Sequence, residues 1–365
     1  MTRLHSLLPG LAGAALAGTT TIAVAAEAPA AVASIKPIHS LLAGVMDGVG
    51  EPSLLVPGGA SPHAWSLRPS DAHAIEHADL VVWVGEGLES FLVGPIEALA
   101  ADAYVLELSR AEGITLLRMR EGGAWDEHGH DDEEDHGEDE HVDDHEEHDD
   151  DEHADEHRDD HDGDHDEDEH ADTREDEDDH AHVHREDGHE HGMGEFNMHL
   201  WLDPANAEVI VQAMADALVR LDPEHESVYR ANEAALEARL RALDGELEDA
   251  FAPVRDRGFI VFHDAWQYLD TRYGLRAVGS VTVSPDQAPG AARLAEVREK
   301  IVGAEATCVF AEPQFEPRLV RTLVEGTGAR TGTLDPLGAA LEGGPDLYFD
   351  LMRANAAAFR ACYGI

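Results

Sequence analysis

Between residues 126 and 191 lie 37 acidic side chains, 16 histidines and three bases, a local net charge of −34 within a chain total of −52. Like charges at this density repel one another, and so few apolar side chains cannot offset the entropy lost on ordering. Residues 121–195 therefore read as a disordered insertion, and any fold must close on itself across it. What remains carries −18, an ordinary acidic surface for a chain of 365 residues with room for two domains. That balance disfavours nucleic acid and anionic membrane surfaces as partners, and it suits cations. Acidic disorder does not call for a histidine every three to five residues. The tract is expected to hold several weak, exchanging metal ions.

The first 26 residues read as an export signal: Arg3, an apolar small-residue stretch, then "AVAAEA" as a cleavage region. Glycines and threonines interrupt the apolar stretch, which makes it a poor permanent span. The mature protein is expected to be soluble and outside the cytoplasm. In that oxidising setting the two cysteines, Cys308 and Cys362, are expected to pair, with metal ligation the lesser alternative.

Short β-branched runs at 31–38, 53–59, 78–85 and 103–109 predict buried strands, with helix-like periodicity between them. A second series follows at 258–263, 275–283, 306–314 and 329–336, separated by helical stretches such as 291–301 and 318–325. Alternation of this kind predicts mostly parallel α/β sheets. The acidic tract is followed by a capped amphipathic helix over 203–221 and a longer pattern over 223–251. The longer one is either a rigid link between lobes or two helices broken near Asp244-Gly245. The expected domains are an N-terminal lobe (27–222), a connecting helix (223–252) and a C-terminal lobe (253–365).

Ligands of open α/β sheets gather at the carboxyl ends of strands. Four candidates stand there: His63 in "GGASPHAWSLRPSD", His199 in "NMHLWLDP", His263 in "FHDAWQYL" and Asp335 in "TLDPLG". Three imidazoles suit four-coordinate zinc, with Asp335 or water completing the tetrahedron, whereas manganese wants more carboxylate oxygen. His39, His73, His77 and His225 lie in helical stretches and read as lacking partners at ligand spacing. Glu86, Trp65 and Arg68 are near the candidates in sequence.

The motifs "GASPHAWSLRPSD", "ADLVVWVG", "MHLWLDP", "FHDAWQYL", "CVFAEPQF" and "TLDPLG" together resemble the zinc-specific solute-binding proteins of bacterial ABC transporters, the ZnuA-like group. The resemblance runs from about residue 34 to the C-terminus. It implies two lobes joined by a rigid helix, ligand roles for His63, His199 and His263, and a paired Cys308 and Cys362. Asp335 matches the family's aspartate. Manganese-binding relatives carry a glutamate in place of the third histidine. Some zinc-binding members carry a glutamate before the first histidine, where this chain has Pro62. The implied function is capture of Zn²⁺ and delivery to an inner-membrane ABC permease by a single, non-catalytic copy. Two rival readings are a zinc hydrolase, for which no His-Glu-x-x-His sequence is present, and a zinc buffer that serves no permease.

Overall fold

Five consecutive apolar or small residues, AVASI, form the buried strand β1 (Ala31–Ile35). Lys36-Pro37 then turns the chain into α1 (Lys36–Val45), with proline in the first turn, where its missing N–H costs nothing. The series continues with β2 (Ser53–Val56), α2 (Pro69–Glu76), β3 (Leu80–Trp83), α3 (Val93–Leu99) and β4 (Tyr104–Glu107). The computed structural model describes residues 28–120, 125, 195–282, 285, 288–303 and 305–365. The expected signal (1–26), and all of the acidic insertion but Trp125 and Glu195, lie outside the described residues. Beyond the insertion come α4 (Pro204–Leu221) and α5 (Glu226–Phe251). The second series is β5 (Phe259–Val261), α6 (Gln267–Tyr273), β6 (Ala277–Ser280), α7 (Ala291–Val302), β7 (Cys308–Ala311), α8 (Arg318–Val324), β8 (Arg330–Thr333) and α9 (Leu347–Tyr363).

All strand pairings are parallel, and the two four-stranded sheets repeat one topology, β2-β1-β3-β4 and β6-β5-β7-β8. Each sheet therefore changes winding direction once, between β1 and β3 in the first and between β5 and β7 in the second. Observed strands stop short of the apolar runs that predict them. The last residues of those runs, His263 and Glu312 among them, leave the ladder and turn out at the carboxyl end.

Helix α4 is capped by Asp203, whose carboxylate accepts the Ala205 amide at 2.8 Å. Pro223–His225 forms a separate 3₁₀ turn, so α5 begins three residues later than its pattern suggests. α5 runs unbroken for 26 residues, about 39 Å at 1.5 Å per residue. Its buried stripe, Tyr229, Glu233, Leu236, Leu240, Leu243, Leu247 and Phe251, recurs at three- and four-residue steps. It packs against α1, α4, α6 and α9. Asp244, at the expected break, accepts two bonds from Arg272 (2.7 and 2.6 Å) and one from the Tyr273 hydroxyl (2.9 Å), which hold the helix there.

One apolar core runs from β1 and α1 through α4 and α5 to β5 and α9, so the two sheets share it. A smaller core, with Ile260, Val309 and Val297, covers the other face of the second sheet. Cys308 on β7 and Cys362 on α9 are joined by a disulfide closing 54 residues, with Cα atoms 6.2 Å apart. Among the described residues, no helix is long and apolar enough to cross a membrane.

Candidate metal centre

Three chain segments bring His63, His199 and His263 together. His63 lies on the loop after β2, His199 immediately before the 3₁₀ turn Leu200–Leu202 that leads into α4, and His263 two residues past β5. The Nε2 atoms converge: His199 to His263 is 3.1 Å and His199 to His63 is 3.4 Å. A tetrahedral zinc ion with Zn–N bonds of about 2.05 Å places its nitrogens roughly 3.3–3.4 Å apart. The ring spacing already matches that edge.

Hydrogen bonds on the far side of two rings dictate what the near side presents. His199 Nδ1 donates to Asn197 Oδ1 at 2.8 Å, and the His199 amide donates to the same oxygen at 3.0 Å. His263 Nδ1 donates to Glu312 Oε1 at 2.8 Å. When neutral, both rings therefore carry their lone pairs on Nε2, aimed at one another. A shared cation turns that repulsion into coordination. Burial, and then the His263 ring, push His63 down to about 3. Burial followed by His263 and His63 pushes His199 well below its ordinary value. Both are thus in the ligand form at neutral pH.

The His263–Glu312 bond crosses the point where the second sheet reverses direction, since His263 follows β5 and Glu312 follows β7. That crevice is where open α/β sheets hold ligands. The cavity among the rings measures about 10 Å³, is lined also by Trp201, Gln314 and Phe315, and holds one water or one ion. Bonds between the halves close it: Lys36 Nζ donates to the Gly338 carbonyl (2.8 Å), Gln314 Nε2 to that of Gly58 (3.1 Å) and Trp201 Nε1 to that of Pro336 (2.9 Å).

Asp335 stands outside the group of converging ligand atoms. Oδ1 accepts the amides of Leu337 and Gly338 and the Gln314 side chain, each at 3.0 Å, and Oδ2 accepts the Ala339 amide at 2.6 Å. Trp65, Arg68 and Glu86 do not line the cavity; Arg68 instead caps α2 through Asp71 and lies 4.9 Å over Trp65. Asn197 and Glu312 went unmarked in the sequence. The base of the acidic tract is also built onto the centre. Arg118 and Phe196 form an antiparallel bridge, and Arg120 holds Asp264, next to His263, at 2.9 and 2.6 Å, and Asp270 at 2.8 Å. Burial opposes the Arg120 charge, but Asp270 and Asp264 outweigh it and push the guanidinium up.

A family model described as zinc-uptake complex component A, periplasmic, matches residues 31–362. The chain belongs to the ZnuA family. A relative in Brucella abortus, a high-affinity zinc uptake system protein, is 46% identical over 99% of both chains. One of the same description in Yersinia pestis is 35% identical over 91% of both. A crystal structure of a ZnuA protein superposes with a TM-score of 0.66 at 23% identity, covering 92% of this chain and 99% of its own, so it shares the fold. The family is one of solute-binding components of transport systems, and its two-sheet α/β architecture is the one described above.

Proposed function

We propose that this chain is the periplasmic component of an ABC-type zinc uptake system, which captures Zn²⁺ in the cleft and hands it to an inner-membrane permease. The observation that carries this reading is the convergence of three imidazoles, with Nε2 separations of 3.4 and 3.1 Å about His199, near a tetrahedral edge, and with the His199 and His263 tautomers fixed by Asn197 and Glu312. His63, His199 and His263 are the ligands. Asp335 would have to exchange amide partners to reach the ion, so water takes the fourth position. Glu312, which lines the cavity, keeps Oε2 buried and without a hydrogen-bond partner among the described residues, an acceptor available to such a water. Residues 27–222 and 253–365 act as lobes about a connecting helix (223–252), residues 1–26 direct export, and one copy suffices.

The test is Zn²⁺ affinity by competition with a calibrated chelator. His63→Ala, His199→Ala and His263→Ala should each weaken binding at least tenfold, since water replaces a strong ligand, and Asp335→Ala should cost less. Wild-type titrations from all three histidine variants would overturn the assignment.

A further inference from the structure

Helix α2 begins six residues after His63 and runs Pro69–Glu76, with His77 as its C-cap residue. His73 and His77 are four apart and lie on one exposed face, with ring centroids 4.1 Å apart. Neither has an evident partner in the sequence alone; the helix supplies one by setting the two rings on one face. His77 Nδ1 donates to the His73 carbonyl at 3.0 Å, which holds the ring against the last turn and leaves its Nε2 with a lone pair. One potential ligand atom from each of His73, Glu76 and His77 lies within 4.8 Å of the other two. Among the described residues, the cleft histidines are the one other group of this kind.

We propose that His73, Glu76 and His77 form a second, exchangeable site for a divalent cation at the C-terminal end of α2. Two imidazoles and one carboxylate make a borderline donor set that takes Zn²⁺ or Cu²⁺ in preference to Mg²⁺ or Ca²⁺. The negative end of the helix dipole adds to the attraction for a cation. All three side chains are exposed, so each must be ordered on binding and the ion keeps water in its remaining positions. The site is therefore weaker than the cleft and open to exchange. A helix sets its spacing. Nothing in it depends on the cleft ligands, and it stands or falls apart from the function proposed above.

The full-length chain can be tested by labelling histidines with diethyl pyrocarbonate during a Zn²⁺ titration and reading each residue by peptide mass spectrometry. This resolves α2 from the tract, whatever the tract binds. With zinc in excess over the tract's capacity, His73 and His77 should lose reactivity together, at least fivefold, and Mg²⁺ at the same concentration should not protect them. His77→Ala should restore the reactivity of His73, and Glu76→Gln should move its protection to higher zinc. Because both substituted positions are exposed, folding is checked simply by circular dichroism. Full reactivity of His73 and His77 at saturating zinc would overturn the site. Unchanged protection of His73 in His77→Ala would equally overturn it, by showing that the two rings do not share an ion.

Discussion

Asn197 and Glu312 bind no ion themselves in this arrangement, yet they decide which nitrogen of His199 and His263 faces the centre. Removing such partners of ligand histidines commonly costs 10- to 100-fold in metal affinity. Asn197→Ala and Glu312→Ala should therefore each weaken Zn²⁺ by that range in a chelator competition, while Glu312→Gln, which keeps an oxygen for His263 Nδ1, should lie closer to wild type. The strand-end rule was enough to find the histidines. It gave no reason to separate His263, two residues past β5, from Asp335, two residues past β8. The difference is sheet order: β5 is central and borders the reversal, whereas β8 is an edge strand, and periodicity does not reveal an edge. Asn197 carried no signal at all, because its role comes from a side-chain bond back to its neighbour. Glu89 shows the same limit. It is fully buried and accepts the Val84 and Gly85 amides at 2.9 and 3.0 Å, and burial pushes it up to about 7. The folded state then holds a proton that the unfolded chain, with an ordinary value of 4.5, has lost, so stability falls as pH rises between the two. Relative to Glu89→Gln, which keeps both amide bonds, wild type should lose on the order of 2–3 kcal/mol between pH 5 and pH 8 in denaturant titrations.

At the scale of elements the βα rhythm was legible throughout, because buried parallel strands are short β-branched runs set off by glycine and proline. Boundaries were less so, since apolar character continues past the last ladder bond into loops that line the cleft. The long helix posed the sharpest alternative. Gly245 invited a break, and the sequence alone does not show that Asp244 is tied to Arg272 and Tyr273 while Leu243 and Leu247 are buried on either side. These tertiary contacts outweigh the roughly 1 kcal/mol that a mid-helix glycine costs. A Cβ at Gly245 would meet nothing within 4 Å. Gly245→Ala should therefore raise stability by about 0.5–1 kcal/mol, seen as a higher denaturation midpoint with unchanged zinc affinity. A loss of stability would mean that the helix uses a bend at this point which alanine resists.

For the whole molecule, the question is how 16 tract histidines divide the work with three in the cleft. The proposed cleft ligands have their ordering cost met by folding: His199 and His263 are buried and hydrogen-bonded without an ion. From their charge density, the tract histidines are expected to meet that cost at each ion they bind, although their number raises the local zinc concentration. The tract leaves and re-enters through a closed base, where the Met119 amide donates to the Glu195 carbonyl at 2.8 Å and the Asn197 amide to that of Leu117 at 2.9 Å. With the two segments of this base hydrogen-bonded, a short linker can replace residues 126–191 without moving Asn197 or Arg120. That deletion should leave one tight zinc per molecule in calorimetric titration and remove the additional weak ones. Thermal stabilisation by stoichiometric zinc should persist, because an ion that binds only the folded cleft stabilises it by mass action. Zinc-dependent growth of a strain carrying the deletion should suffer mainly when zinc is scarce, if the tract gathers ions for transfer inward. Loss of the tight site on deletion, with the fold intact by circular dichroism, would place the primary ligands in the tract and leave the three converging imidazoles as packing.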